Sequence, residues 1–135
     1  MTPHFERTLL QAAVAITCLV PLAASTFGIV HGAAWLQLGP TTDLDSHFRY
    51  LSGIFLVMGI AFLTCIPAIE SKTARFRLLG AMVVGGGLAR LVSLGSVGVP
   101  SAGHVLGLCI ELIVVPLLLL WQTRIDRRYR AAATP

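Results

Sequence analysis

FRLLGAMVVGGGLARLVSLGSVGVPSAGHVLGLCIELIVVPLLLLW, from Phe76 to Trp121, decides the fold. Two apolar segments flank a Gly/Pro/Ser-rich turn, and each segment encloses one charge, Arg90 in the first and Glu111 in the second. A soluble domain would put such charges on its surface. Among lipid-like neighbours each needs a partner, and each is the obvious partner of the other. A short turn makes the two segments antiparallel neighbours. At ~1.5 Å per residue Arg90 lies roughly 10 Å, and Glu111 roughly 13 Å, in from that turn, so the pair is easily made.

The rest of the chain agrees with this reading. Its 135 residues suffice for one domain. Only 12% are charged and mean hydropathy is +0.82, whereas soluble domains carry roughly 25% charged residues. The formal charge of +4 does not indicate nucleic acid. Arg7, Lys72, Arg75, Arg77, Arg124, Arg127, Arg128 and Arg130 flank apolar segments, and no nucleic-acid-binding motif accompanies them. Cys18, Cys65 and Cys109 all fall inside apolar segments, odd in number and without C-x-x-C, so they read as buried small hydrophobes. No metal site or cofactor is implied.

Four spans follow, at about 8–30, 48–66, 76–95 and 103–121, each long enough for a ~30 Å hydrocarbon core. A cleaved leader is the rival reading of the first, with Arg7 before it and Ala23-Ala24-Ser25 as a cleavage site. The apolar run continues past that site, which favours a span. Pro21 should kink it, and Ala24, Gly28 and Gly32 form a face that another helix can approach closely. In the long connection His31–His47, Gly39-Pro40 signals a turn and Asp43 or Asp45 can N-cap the next helix. Arg49, Ser52, Gly53, Leu56 and Gly59 then share one face. Gly85-Gly86-Gly87 lacks the following Gly-Lys-Ser/Thr of a phosphate loop and reads as a close-packing site. Gly86, Arg90 and Ser93 share a face, as do His104, Gly107 and Glu111. Pro116 interrupts the last helix, and the chain frays after Arg130.

The N-terminus, the second connection and the C-terminus hold the basic residues, so both termini are expected in the cytoplasm of an inner (cytoplasmic) membrane. The expected fold is thus a single all-α domain over 1–135, an integral four-helix bundle with both termini cytoplasmic. Arg90, Glu111, Arg49, Tyr50, Asp45, Ser93 and His104 then gather toward the outer side as a polar pocket. The inner half reads as plain apolar packing.

No catalytic template fits: there is no nucleophile elbow, no H-E-x-x-H and no Ser-His-Asp set. The leading expectation is a non-enzymatic protein whose pocket binds a small amphipathic or anionic ligand, with Arg90 and Arg49 as its positive ends. Next comes an accessory or assembly subunit of a larger membrane complex, with Arg90–Glu111 a structural ion pair. Small-residue faces at Gly28/Gly32 and Gly103/Gly107 would then meet a membrane-protein partner or a second copy. A proton-coupled carrier would need a dimer, four spans being few for alternating access. An enzyme acting on a lipid-soluble substrate is the fourth reading.

Three stretches carry a family resemblance: LDSHFRYLSGIF (Leu44–Phe55), GGLARLVSL (Gly86–Leu94) and ELIVVPLLLLWQ (Glu111–Gln122), with RFRLLG (Arg75–Gly80) in support. In these the chain resembles a bacterial family of small membrane proteins known as domain of unknown function 4345. The resemblance implies four membrane spans and no transferable activity. It makes Asp45, Arg49, Tyr50, Arg90 and Glu111 characteristic residues.

Overall fold

The computed structural model describes residues 3–36 and 39–133. Among these, every regular element is helical. Helix α1 is Pro3–His31, α2 Thr42–Leu63, α3 Thr73–Ser96, α4 Ala102–Cys109 and α5 Val115–Ala133. Short 3-10 turns cover Gly32–Trp35 and Ile66–Ala68. Between α4 and α5 the chain makes a π turn, Ile110–Val114, so residues 102–133 form one helical run.

Four of these helical stretches are long and apolar enough to cross a membrane: His4–Trp35, Thr42–Ala68, Thr73–Ser96 and Ala102–Ala132. Each contains the corresponding span expected from sequence. Many of their apolar side chains are exposed. Ile16, Leu19, Val57, Leu78, Val92 and Leu120 are exposed, while Glu6, Ser25, Ser52, Thr73, Glu111, Gln122 and Asp126 are buried. Water would penalise that distribution; lipid reverses its sign.

The chain divides into two compact units, Val14–Ile66 and Met1–Ala13 with Pro67–Pro135. In the first, the end of α1 meets α2: Gly28 lies against Ser52 and Phe48, and Gly59 against Leu22. The expected small-residue face of α1 is therefore covered from within this unit, and Gly28 and Gly32 are not open to a partner. Pro21 lies inside an uninterrupted α1. The cap of α2 is not an aspartate. Thr41 has extended backbone, and its hydroxyl accepts from the Leu44 N–H at 3.2 Å.

The second unit is built on α3. Phe76, Leu79, Gly80, Val83 and Gly87 are buried at helical spacing and pack against the run from α4 to α5. Gln122, fully buried, donates from Nε2 to the Ile69 carbonyl and to Thr73 Oγ1, each at 2.8 Å, and so ties α5 to the chain entering α3. Of the tail expected to fray, residues 131–133 are helical and Thr134 and Pro135 lie outside the described residues; just before it Ile125 is buried, and Arg124, Arg128 and Tyr129 all reach the start of α1. Cys18 and Cys65 are buried as expected, but Cys109 is exposed.

Candidate functional site

The buried stripe of α3 ends at Gly87, and Arg90, three residues on and near the same face, is exposed. Opposite it, the π turn carries Glu111 inward to 5% exposure. Pro116 accounts for a break at this place. Proline has no N–H for the carbonyl four residues back, and its ring crowds that carbonyl, which the wider π turn relieves. Close approach here requires a glycine: a Cβ on Gly87 would lie 2.9 Å from Glu111 Cβ and 2.7 Å from Leu112 Cδ2. A Cβ on Gly85 or Gly86 would meet nothing within 4 Å among the described residues, so only one glycine of the triplet packs as expected.

Arg90 Nε lies 3.2 Å from Glu111 Oε2, and the anticipated ion pair is made. It is incompletely satisfied. The contact lacks hydrogen-bond alignment, leaving buried Oε2 without a hydrogen-bond donor. The Arg90 side chain is 42% exposed and has no other partner among the described residues. A guanidinium carries five N–H donors in a planar fork, so most of this one is uncommitted.

Asp45 and Arg49 are placed differently. Both belong to the unit Val14–Ile66 and close the end of α1. Asp45 Oδ1 accepts from the Ala33 N–H, and Oδ2 from Arg49 Nε, each at 2.8 Å. Arg49 Nη1 donates to the carbonyls of Ile29 and Val30, in the last turn of α1. Those carbonyls have no acceptor role left inside the helix, and an arginine commonly serves them. Gly32 ends α1 with φ +61°, and a Cβ there would overlap the Asp45 carboxylate. Arg49 is therefore a helix cap and not the free positive end expected from sequence.

The other expected site residues join neither pair through a side-chain bond. Tyr50 and Ser93 are exposed. His104 Nδ1 lies 2.9 Å from Ser101 Oγ at the start of α4. Among the described residues no three His, Cys, Asp or Glu side chains converge as metal ligands would.

Sequence reasoning missed a third cluster. Glu6, 4% exposed, binds both Arg124 and Arg128. Nearby in the same unit, Arg7 pairs with Glu70 at 2.8 Å and donates to the Pro67 carbonyl. These residues lie just beyond the expected spans, where the basic residues were read only as flanking charges. One signal was available: Glu6 is the only carboxylate before Asp43.

No curated protein and no solved structure matches the chain. A family model does, over residues 9–122, which takes in Asp45, Arg49, Arg90, Glu111 and Gln122. The chain belongs to the family described as Domain of unknown function (DUF4345).

Proposed function

We propose that this is a non-enzymatic multi-pass protein of the cytoplasmic (inner) membrane, a four-helix bundle with both termini cytoplasmic. Its outward-facing polar site at Arg90 and Glu111 binds a small amphipathic ligand through an acceptor-bearing or anionic head. The observation that carries this reading is the half-satisfied ion pair. Glu111 is buried with an oxygen that no hydrogen bond serves, and Arg90 keeps most of its donors outward. A lone charge at mid-membrane costs ~2.5–3.5 kcal/mol on insertion scales, so exposed donors at that depth favour an occupant. Glu111 would hold one side of the guanidinium while a ligand carboxylate, phosphate or carbonyl meets the other. Arg49 is spent on α1, which leaves Arg90 as the binding cation.

A second reading rests on Gly85 and Gly86, one turn before Arg90, where an added Cβ would meet nothing within 4 Å among the described residues. A helix from another membrane protein could approach there and supply the acceptor, making the chain an accessory subunit. Native mass spectrometry after gentle extraction separates the two. Chain plus a small molecule, lost on Arg90→Gln, supports the pocket. A complex with larger protein partners supports the accessory subunit, and bare chain throughout would sink both.

A further inference from the structure

Where α5 leaves its apolar stretch, Leu120, Trp121, Arg124 and Arg128 line a cleft of about 500 Å³ with Glu6 of α1. Both oxygens of the buried Glu6 carboxylate are taken, Oε1 by Arg124 Nε at 3.2 Å and Oε2 by Arg128 Nη1. The two arginine side chains are 61% and 40% exposed. With one contact apiece to Glu6, their remaining donors are uncommitted among the described residues. One acid against two bases leaves the cleft positive.

We propose that this cleft binds the phosphate-bearing headgroup of an anionic phospholipid. The order of the lining residues fits a lipid entering from its tail. Leu120 is exposed and apolar, Trp121 is the amphipathic residue favoured at headgroup level, and the two arginines follow. Arg124 lies about 6 Å beyond Leu120 along the helix, the scale of an interfacial layer about 5–7 Å thick on each side, and Arg128, one turn further at about 12 Å, lies at its outer edge and beyond. Glu6 supplies what a loose basic tail lacks. Two guanidinia this close would repel each other, and the carboxylate, with one oxygen on each, offsets that repulsion. Planar forks match phosphate oxygens two at a time, and basic pockets between membrane helices are suited to such headgroups. A charge serving topology alone would need no buried carboxylate to fix it. The site is independent of the reading of Arg90 and Glu111.

The test is native mass spectrometry of the full chain in mild detergent. The probes are phosphatidylglycerol, phosphatidylcholine of matched acyl chains, and inorganic phosphate. Phosphatidylglycerol should remain bound at concentrations where phosphatidylcholine leaves no adduct, and phosphate should not displace it. Arg124→Gln and Arg128→Gln should each weaken phosphatidylglycerol binding about five-fold, the scale of one basic side chain near a lipid surface. Arg127→Gln removes equal charge from α5 outside the cleft and should change binding by less than about two-fold. Should a single variant unfold around the uncompensated Glu6, the double change Glu6→Gln with Arg128→Gln serves instead. It keeps the cleft's net charge, removes one of the two guanidinia, and should lose binding as the singles do. Equal retention of the two lipids, an Arg127→Gln effect matching Arg124→Gln, or undiminished binding by the double variant would each overturn the proposal. So would displacement by phosphate alone, which would mark a free-anion site.

Discussion

Two acid–arginine pairs border the apolar stretches, and they are built to opposite standards. Asp45–Arg49 lies one turn apart on α2, and each partner has further work: Asp45 holds the Ala33 N–H, and Arg49 holds the Ile29 and Val30 carbonyls. Arg90–Glu111 joins α3 to the π turn by one imperfectly aligned contact, with donors left over on one side and an acceptor on the other. The first pair is consumed by the backbone it closes. The second is only neutralised, and a charge that is neutralised without being saturated can still recognise something.

The contrast is broken most forcefully by leucine substitution. Glu111→Leu leaves Arg90 without its counter-charge. Removing one partner of a buried pair costs ~3–5 kcal/mol, and the partial exposure of Arg90 puts this case near the low end, about 3 kcal/mol. Adding Arg90→Leu should recover most of that loss in thermal unfolding followed by circular dichroism in detergent. At the other pair, Asp45→Leu with Arg49→Leu should show no such recovery, because three backbone groups at the end of α1 would still lack partners. Recovery at both pairs, or at neither, would erase the distinction drawn between them.

Gly32→Ala tests the capped end alone. An L-residue at φ +61° costs roughly 1–2 kcal/mol in backbone strain, and its Cβ must also displace the Asp45 carboxylate. A loss of about 2 kcal/mol or more is expected in the same unfolding assay. An unchanged midpoint would mean that Asp45 and Arg49 do not lock this turn.

How much of this was legible in the sequence follows from what each signal encodes. The four membrane-compatible helices were legible because apolar length over a fixed hydrocarbon thickness needs no tertiary information. Arg90 and Glu111 could be paired because a short turn fixes their relative depth. The division of labour among the polar residues was not legible. Asp45 and Arg49 look like pocket residues until the last carbonyls of α1 are seen to fall on Arg49, a contact made across 19 and 20 residues. Glu6 finds its arginines more than 110 residues away, and no local pattern announces that. Which glycine of Gly85-Gly86-Gly87 faces a neighbour depends on a rotation of α3 that three identical residues cannot reveal.

That rotation gives a smaller and sharper test. Gly87→Ala places a methyl between Glu111 and Leu112, and overpacking of this kind costs ~1–3 kcal/mol. It should also lift Glu111 off Arg90, so the penalty should shrink when measured in the Arg90→Leu, Glu111→Leu background. Gly85→Ala and Gly86→Ala meet no side chain, and by helix propensity should be neutral or stabilising by up to about 1 kcal/mol. A destabilising Gly86→Ala would indicate that its bare face is already covered by another chain in the extracted protein, shifting weight from a bound small molecule to a partner helix.

The smallest expected effect concerns the start of α2, where the capped pair begins. Thr41→Ala removes the hydroxyl that accepts from Leu44 and should cost about 1 kcal/mol. Asp43→Ala, two residues on and exposed, should move the unfolding midpoint by no more than a surface substitution does, within about 0.5 kcal/mol. Both carboxylates of this turn looked like caps, yet a hydroxyl took that role and so freed Asp45 to face the end of α1. If Asp43→Ala proves the costlier change, the cap is shared, and the commitment of Asp45 to Ala33 and Arg49 is weaker than the geometry implies.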